Sequence, residues 1–172
     1  MRERALFVLS ALAMGAAACA TVEPTVPGDP ATPPAARGPA PLPVEGYDWF
    51  YSTDDDAARL AYGLAESDDL KLGLDCRRGA GRLEMVAIAD KGAKPEIHVE
   101  SGGESERFRA ASEPSELHDG VFLSAEASIA EPVFQRFRRV GWLAQWRDGT
   151  REAYAPQPGS EANIERFFAF CG

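Results

Sequence analysis

Apolar and polar residues alternate through most of the chain, which is the pattern of β-strands that bury one face. In residues 70–76, Leu70, Leu72, Leu74 and Cys76 fall on one side, and polar residues and a glycine fall on the other. Dipeptides that favour hairpin turns, Asp119-Gly120 and Asp148-Gly149, separate several of these segments. The strands predicted in this way cover residues 47–52, 59–63, 70–76, 82–89, 96–101, 107–110, 121–127, 142–147 and 151–155.

Two segments instead have helical spacing. Near 132–140, Pro132 suits a first helical turn and Gly141 suits a helix end. Near 161–170, Ser160 is the expected N-cap. The apolar positions predicted to face inward are Val133, Phe134, Phe137 and Val140 in the first helix, and Ile164, Phe167, Phe168 and Cys171 in the second.

This order of short strands predicts a mainly β fold, either an antiparallel β-sandwich or an open barrel of about eight to ten strands, with two short helices. The alternative is an α+β fold in which one sheet is covered by both helices.

Residues 1–18 have the layout of a secretory signal peptide, with a basic start, a short apolar run and small residues at its end. The sequence AAAC at 16–19 resembles a bacterial lipobox, in which the cysteine thiol receives a diacylglycerol. Residues 18–20 also match the A-x-A site of ordinary signal peptidase, so both processing routes stay open. Lipidation of Cys19 would account for an odd number of cysteines, because it leaves Cys76 and Cys171 to pair.

Residues 19–44 are predicted to be a lipidated cysteine followed by a disordered tether, and residues 45–172 a single β-rich domain. The segment 22–44 holds eight of the chain's 13 prolines. Proline fixes φ and lacks a backbone donor, so such a segment joins neither a helix nor a sheet.

The net charge of −9 narrows the possible partners. A negative field repels nucleic acid, so we exclude a nucleic-acid partner. It also repels anionic lipid headgroups, so the expected contact with the membrane is the lipid on Cys19.

Cys76 and Cys171 both fall at inward positions, and an exported protein enters an oxidising compartment. We therefore predict a disulfide bond between them. The alternative is a catalytic Cys76 with His98 or His118, but no local signature of thiol catalysis accompanies it.

Other candidate chemistry is sparse. Glu96, His98 and Glu100 alternate along one predicted strand, so they share a face and are weak candidates for a metal or general-base site. A polar, solvated sheet face explains the same pattern. No glycine-rich phosphate loop and no serine nucleophile motif are present, so no cofactor and no catalytic residue are predicted.

A cluster of basic residues interrupts the acidic domain and lies beside Trp142 and Trp146. Arginine and tryptophan are enriched at interface hot spots, so this cluster is a candidate partner surface. Alternatively, both tryptophans lie in the core and the basic side chains are solvated. The residues of the cluster are Arg136, Arg138, Arg139, Arg147 and Arg151.

The pattern "DDDAARLAYGLAESDDLKLGLDC…FFAFC" resembles small exported proteins of Gram-negative bacteria. The resemblance implies export and carries no activity and no site residue. Together these features predict a non-catalytic cell-envelope lipoprotein module. It would face the periplasm from the outer membrane, or be soluble in the periplasm if the lipobox is not used. Its partner would be an envelope protein or peptidoglycan. The alternative is a periplasmic hydrolase that depends on a metal or a carboxylate.

Overall fold

Two antiparallel sheets and two helices build the structure, a computed structural model that describes residues 40–115 and 119–172. The signal peptide 1–18, Cys19, most of the predicted tether and His118 lie outside the described residues. In chain order the elements are β1 (Tyr47–Thr53), β2 (Ala57–Leu64), β3 (Leu70–Arg77), β4 (Arg82–Asp90), β5 (Glu96–Ser101), β6 (Glu104–Arg109), β7 (Ala111–Pro114), β8 (Gly120–Ser128), α1 (Pro132–Val140), β9 (Leu143–Arg147), β10 (Thr150–Tyr154) and α2 (Glu161–Cys171).

The predicted β-sandwich with two short helices is confirmed. One sheet has six strands in the order β1-β2-β3-β4-β8-β7, and the other has four in the order β10-β9-β5-β6. The sheets are not closed into a barrel. The single-sheet alternative is wrong, because β5, β6, β9 and β10 pair with one another as a second layer.

The core lies between the layers. Across the six-stranded sheet, cross-strand pairing aligns Trp49, Tyr62, Leu72, Ala87 and Leu123 in one buried row. The four-stranded sheet contributes inward residues that are fully buried, namely Ile97, Val99, Leu143 and Tyr154. Ile97 and Val99 are the inward positions that the period of two predicted on β5.

The two helices lie where predicted, and most of their expected inward residues are buried. Gly141 ends α1 with a φ of 80°, a left-handed conformation that favours glycine. Phe134 of α1 stacks on Phe108 of β6, with ring centroids 5.8 Å apart. Phe137 of α1 meets Phe168 of α2 edge to face, also at 5.8 Å.

The helix prediction needs two corrections: Val140 does not face inward, and Ser160, although it is the N-cap residue as predicted, does not cap through its side chain. Val140 is 37% exposed, because it lies in the last turn of α1, beyond the part of the helix that the core covers. The Ser160 hydroxyl does not cap α2. It donates instead to the Asp48 carboxylate at 2.6 Å and to the Gln157 carbonyl at 2.8 Å, which ties the start of α2 to β1.

The predicted disulfide bond is confirmed. It joins Cys76 on β3 to Cys171 at the end of α2, and their Cα atoms are 5.8 Å apart. Two backbone hydrogen bonds reinforce the same junction: Gly79 N donates to Phe170 O at 3.0 Å, and Gly81 N donates to Cys171 O at 2.8 Å. The C-terminus is therefore held to the six-stranded sheet by covalent and backbone contacts.

Of the two predicted turns, Asp148-Gly149 forms as a two-residue turn, whereas Gly120 belongs to a strand. Asp148 and Gly149 connect β9 to β10 with φ values of 48° and 79°, the left-handed pair of a type I′ turn. Gly120 begins β8 and accepts a hydrogen bond from Ser115 N at 3.0 Å, so β7 and β8 form a hairpin with a longer loop.

The last residue of the predicted tether is docked on the domain. The Val44 carbonyl accepts hydrogen bonds from the Gln157 side-chain amide at 2.7 Å and from Tyr47 N at 3.1 Å. Leu42, two residues earlier, is 86% exposed. Neither described helix has the length and apolar character that crossing a membrane requires.

Candidate functional site

The outer face of the four-stranded sheet carries a line of large side chains that crosses all four strands. Cross-strand pairing places Arg151 opposite Trp146, Trp146 opposite His98, and His98 opposite Arg107. Directly opposed side chains on one sheet face lie close enough to interact. We call these four residues the cross-sheet row. Its centre is aromatic and its two ends are cationic.

His98 lies at the centre of the cross-sheet row. Its ring stacks on Trp146 with centroids 5.9 Å apart and planes 17° from parallel. Its Nε2 is 2.7 Å from the Ser105 hydroxyl. Burial and the nearby Arg107 guanidinium lower the pKa of His98, outweighing the opposing effect of Glu96 and Glu100. The imidazole is therefore mainly neutral at pH 7.

Glu100, on the same sheet face, accepts hydrogen bonds from the two other members of the row, Trp146 and Arg151. Its carboxylate accepts hydrogen bonds from Arg151 Nε at 2.9 Å and Nη2 at 3.1 Å, and from Trp146 Nε1 at 3.0 Å. Burial opposes ionisation of Glu100, but the hydrogen bonds from Arg151 and Trp146 outweigh it and hold the pKa of Glu100 below its ordinary value. The carboxylate thus fixes both the indole and the guanidinium.

The predicted row of Glu96, His98 and Glu100 does share one face, but its members do not converge. Glu96 pairs with Arg107 at 2.9 Å, whereas Glu100 pairs with Arg151. Within residues 40–115 and 119–172, no group of three His, Cys, Asp or Glu side chains lies close enough to hold a metal ion. Each of the two carboxylates is therefore paired with its own arginine.

The core interpretation holds in part: Trp142 is buried, but in a small cluster separate from the main core, and Trp146 is only partly buried. Leu143 and Gln145 take the inward positions of β9, which turns Trp142, Ala144 and Trp146 to the outer face. There Trp142 forms a small separate cluster with alanines, and the Arg151 guanidinium lies 5.2 Å from its ring centroid. Trp146 remains partly exposed.

The structure does not join the five candidate arginines into one surface. Arg136 Nε donates to the Gly102 carbonyl at 3.1 Å, and Arg138 pairs with Glu165 of α2. Arg147 pairs with Glu152, and Arg139 is exposed on α1. Of the five, only Arg151 belongs to the cross-sheet row.

A cleft of about 740 Å³ adjoins this row. The pairing of β5 with β9 ends at His98 and Trp146, although β5 begins at Glu96 and β9 continues to Arg147. Leu123 and Gln145, two largely buried inward residues, are among those that line this cleft.

A larger depression, of about 870 Å³, lies at the disulfide end of the six-stranded sheet. It is lined by acidic residues and by no aromatic side chain. Two of its carboxylates form ion pairs, Asp75 with Arg59 at 3.0 Å and Glu126 with Arg82 at 2.7 Å. Asp54 also has a local role, because its side chain accepts a hydrogen bond from Ala57 N at 2.8 Å within the β1–β2 turn.

Sequence reasoning missed Ser105, Arg107 and Gln145. The first two lie on an edge strand that was predicted only in part, so their register against His98 could not be read. Gln145 could have been noticed as the polar residue two positions after Leu143, on the same face of the strand.

Comparison with known proteins found no matching family model, no matching curated protein and no matching solved structure. Function is therefore argued from the site.

Proposed function

We propose that this protein is a non-catalytic module of the bacterial cell envelope, anchored by lipid on Cys19, that binds an envelope partner through the cross-sheet row. The observation that carries this proposal is the Trp146–His98 stack flanked by Arg151 and Arg107 on an outer sheet face. Outer faces of antiparallel sheets are ordinarily polar and solvated. Tryptophan and arginine are the residues that most often dominate binding energy at interfaces.

The row is also held in place before any partner arrives. Glu100 fixes Trp146 and Arg151, Glu96 fixes Arg107, and Ser105 contacts His98. A surface whose rotamers are already restrained loses less conformational entropy on binding. The restrained side chains therefore favour binding of a partner by the row without reordering of its side chains.

The geometry favours binding over catalysis. Ser105 and His98 lie within hydrogen-bonding distance, but a serine nucleophile also needs a group that orients the imidazole. No carboxylate hydrogen-bonds His98 within the described residues, because Glu96 and Glu100 are taken by arginines. A serine nucleophile here would therefore lack its third member, and a metal- or carboxylate-dependent hydrolase would have to use carboxylates that are already paired with arginines.

The envelope location rests on the sequence and is supported by the disulfide bond. Disulfides persist in oxidising compartments, and pairing of Cys76 with Cys171 leaves Cys19 as the odd cysteine. The resemblance to exported Gram-negative proteins points the same way. We place the domain in the periplasm at the outer membrane, with a protein or the cell wall as partner and no role for nucleic acid.

Co-sedimentation with purified cell-wall sacculi, together with affinity capture from membrane extract, tests this function. Trp146→Ala and Arg151→Ala should each weaken capture by about 2 kcal/mol or more if the row contains the hot spot. Phe50→Ala is the matched control, since Phe50 is a partly exposed aromatic residue on the outer face of the other sheet. Equal capture by wild type and both row variants would overturn the proposal.

A further inference from the structure

We propose that the cleft beside the cross-sheet row binds a neutral saccharide. This inference rests on the proposed function, because it names the chemistry of the envelope partner. It adds a site that the cross-sheet row alone does not contain, with Gln145 at its floor and Trp146 at its wall.

The cleft has the size and depth of a ligand site. Its volume of about 740 Å³ falls within the range of about 300–1,000 Å³ that is common for small-molecule pockets. It opens between the start of β5 at Glu96 and the β9–β10 turn. Its lining includes Leu123, which is only 3% exposed. A ligand entering here would therefore meet both surface and interior groups.

Gln145 places an unused polar group at the bottom of this opening. The residue is 2% exposed, and its side-chain oxygen accepts a hydrogen bond from the Tyr154 hydroxyl at 3.1 Å. The amide nitrogen has no hydrogen-bond partner within the described part of the chain. This amide can therefore donate a hydrogen bond to a ligand oxygen in the cleft.

The wall of the cleft offers an apolar surface next to this donor. Trp146 and His98 both line it, and their stack presents aromatic carbon, while Trp146 Nε1 and His98 Nε2 are held by Glu100 and Ser105. Saccharides combine an apolar C–H face with hydroxyl and amide oxygens at the ring edge. An aromatic wall beside hydrogen-bonding groups matches that combination.

The charges of the cleft favour a neutral ligand. Arg107 is paired with Glu96, and Arg147 is paired with Glu152 and donates to the Ile88 carbonyl at 3.3 Å. At the rim, Lys94 is accompanied by Asp90 and Asp148. A charged ligand at Arg107 or Arg147 would compete with their existing ion pairs, whereas hydroxyl groups can hydrogen-bond to paired ions without separating them.

Calorimetric titration of the full-length protein, purified in detergent, tests the inference with tri-N-acetylchitotriose as a neutral probe and trialanine as a zwitterionic one. We expect saturable binding of the saccharide that is unchanged between low salt and 0.5 M NaCl, a concentration at which screening acts within roughly a few Å. Trialanine should not bind.

Two variants connect that binding to the cleft. Gln145→Met keeps the volume but removes the donor, and should weaken binding roughly fivefold, the typical effect of one neutral hydrogen bond. Trp146→Ala should weaken it by at least about tenfold through loss of the aromatic wall. Phe50→Ala should bind as wild type, and thermal melts check that each variant is folded.

The outcomes are distinct from those of the proposed function. Absence of saccharide binding, or binding that survives both Gln145→Met and Trp146→Ala, overturns the saccharide inference. Salt-sensitive binding of trialanine instead would assign the cleft to a peptide and also overturn it. Arg151 lies in the row but does not line the cleft. If Arg151→Ala loses envelope capture while the wild type binds no saccharide, the proposed function stands and only the saccharide inference fails.

Discussion

Trp146 and His98 lie directly opposite each other on adjacent antiparallel strands, with ring planes only 17° from parallel. The pair marks the last rung of the β5–β9 ladder, beyond which the strands separate into the cleft. The stack belongs to the cross-sheet row and also lines the cleft, so both candidate binding features share it. The charged residues around the stack form the Glu96–Arg107 and Glu100–Arg151 ion pairs. The aromatic stack is therefore the feature that distinguishes this sheet face.

The titration of His98 should report its environment. We expect its pKa in the folded protein to lie below its ordinary value of about 6.5, because burial and Arg107 both disfavour the imidazolium. A depressed pKa means that the unfolded chain binds the proton more tightly. The neutral imidazole therefore gives the folded protein its full stability above the pKa of the unfolded chain. That part of the stability is lost as the pH falls through the pKa of His98 in the folded protein.

Proton NMR of the His98 ring across pH 4 to 8 measures this value. Arg107→Gln should raise the pKa of His98, since it removes a neighbouring positive charge. Arg82→Gln is the matched control, because Arg82 pairs with Glu126 on the six-stranded sheet. A His98 pKa above 6.5 in the wild type would contradict the expectation.

The disulfide bond should contribute strongly to stability. Replacing Cys76 and Cys171 together by serine should lower the free energy of unfolding by about 2–5 kcal/mol, because the bond closes a loop with a sequence separation of 95 residues. Urea unfolding at pH 7 measures the change.

Hydrogen exchange should locate the effect of that double substitution. Amides of α2 should exchange first, since Ile164, Phe167 and Phe168 would then be its main remaining apolar contacts. Wild-type protein treated with reductant should behave like the double variant. Uniform loss of protection across both sheets would show that α2 does not open by itself.

The β9–β10 turn should tolerate little change. Gly149→Ala should destabilise the protein by about 1–2 kcal/mol, because a φ of 79° is unfavourable for any residue with a Cβ atom, although open space surrounds the position. Gly73→Ala is the matched control, since a Cβ there would make ordinary contact with Arg59 at 3.5 Å without a positive φ. Thermal unfolding of both variants gives the comparison, and equal melting temperatures would contradict the prediction.

The lipid anchor stays a prediction that fractionation can test. Cys19→Ser should release the protein from membranes or stall its processing, because an acyl chain contributes about 0.8 kcal/mol per buried CH₂ group. Cys76→Ser should leave membrane association intact, since that cysteine belongs to the folded domain. Recovery of wild-type protein in the soluble periplasmic fraction would show that ordinary signal peptidase processes the chain.

Much of the fold was readable from local patterns. Alternation located most strands, and the Asp148-Gly149 turn was predictable because both residues tolerate positive φ. The partner of Cys76 was also readable, because Cys171 falls on the inward stripe of its helix. Side-chain periodicity within one element carries this information.

The candidate site depended on tertiary structure. A period of two shows that Trp142 and Trp146 share a face, but not which face meets the core, and the inward positions went to Leu143 and Gln145. The placement of Arg107 and Arg151 at the two ends of the cross-sheet row depends on the registers of three strand pairs. Register is set by packing between distant segments, so the sequence determined the strands, the helices and the disulfide bond, and only the assembled sheets decided which side chains meet on the surface.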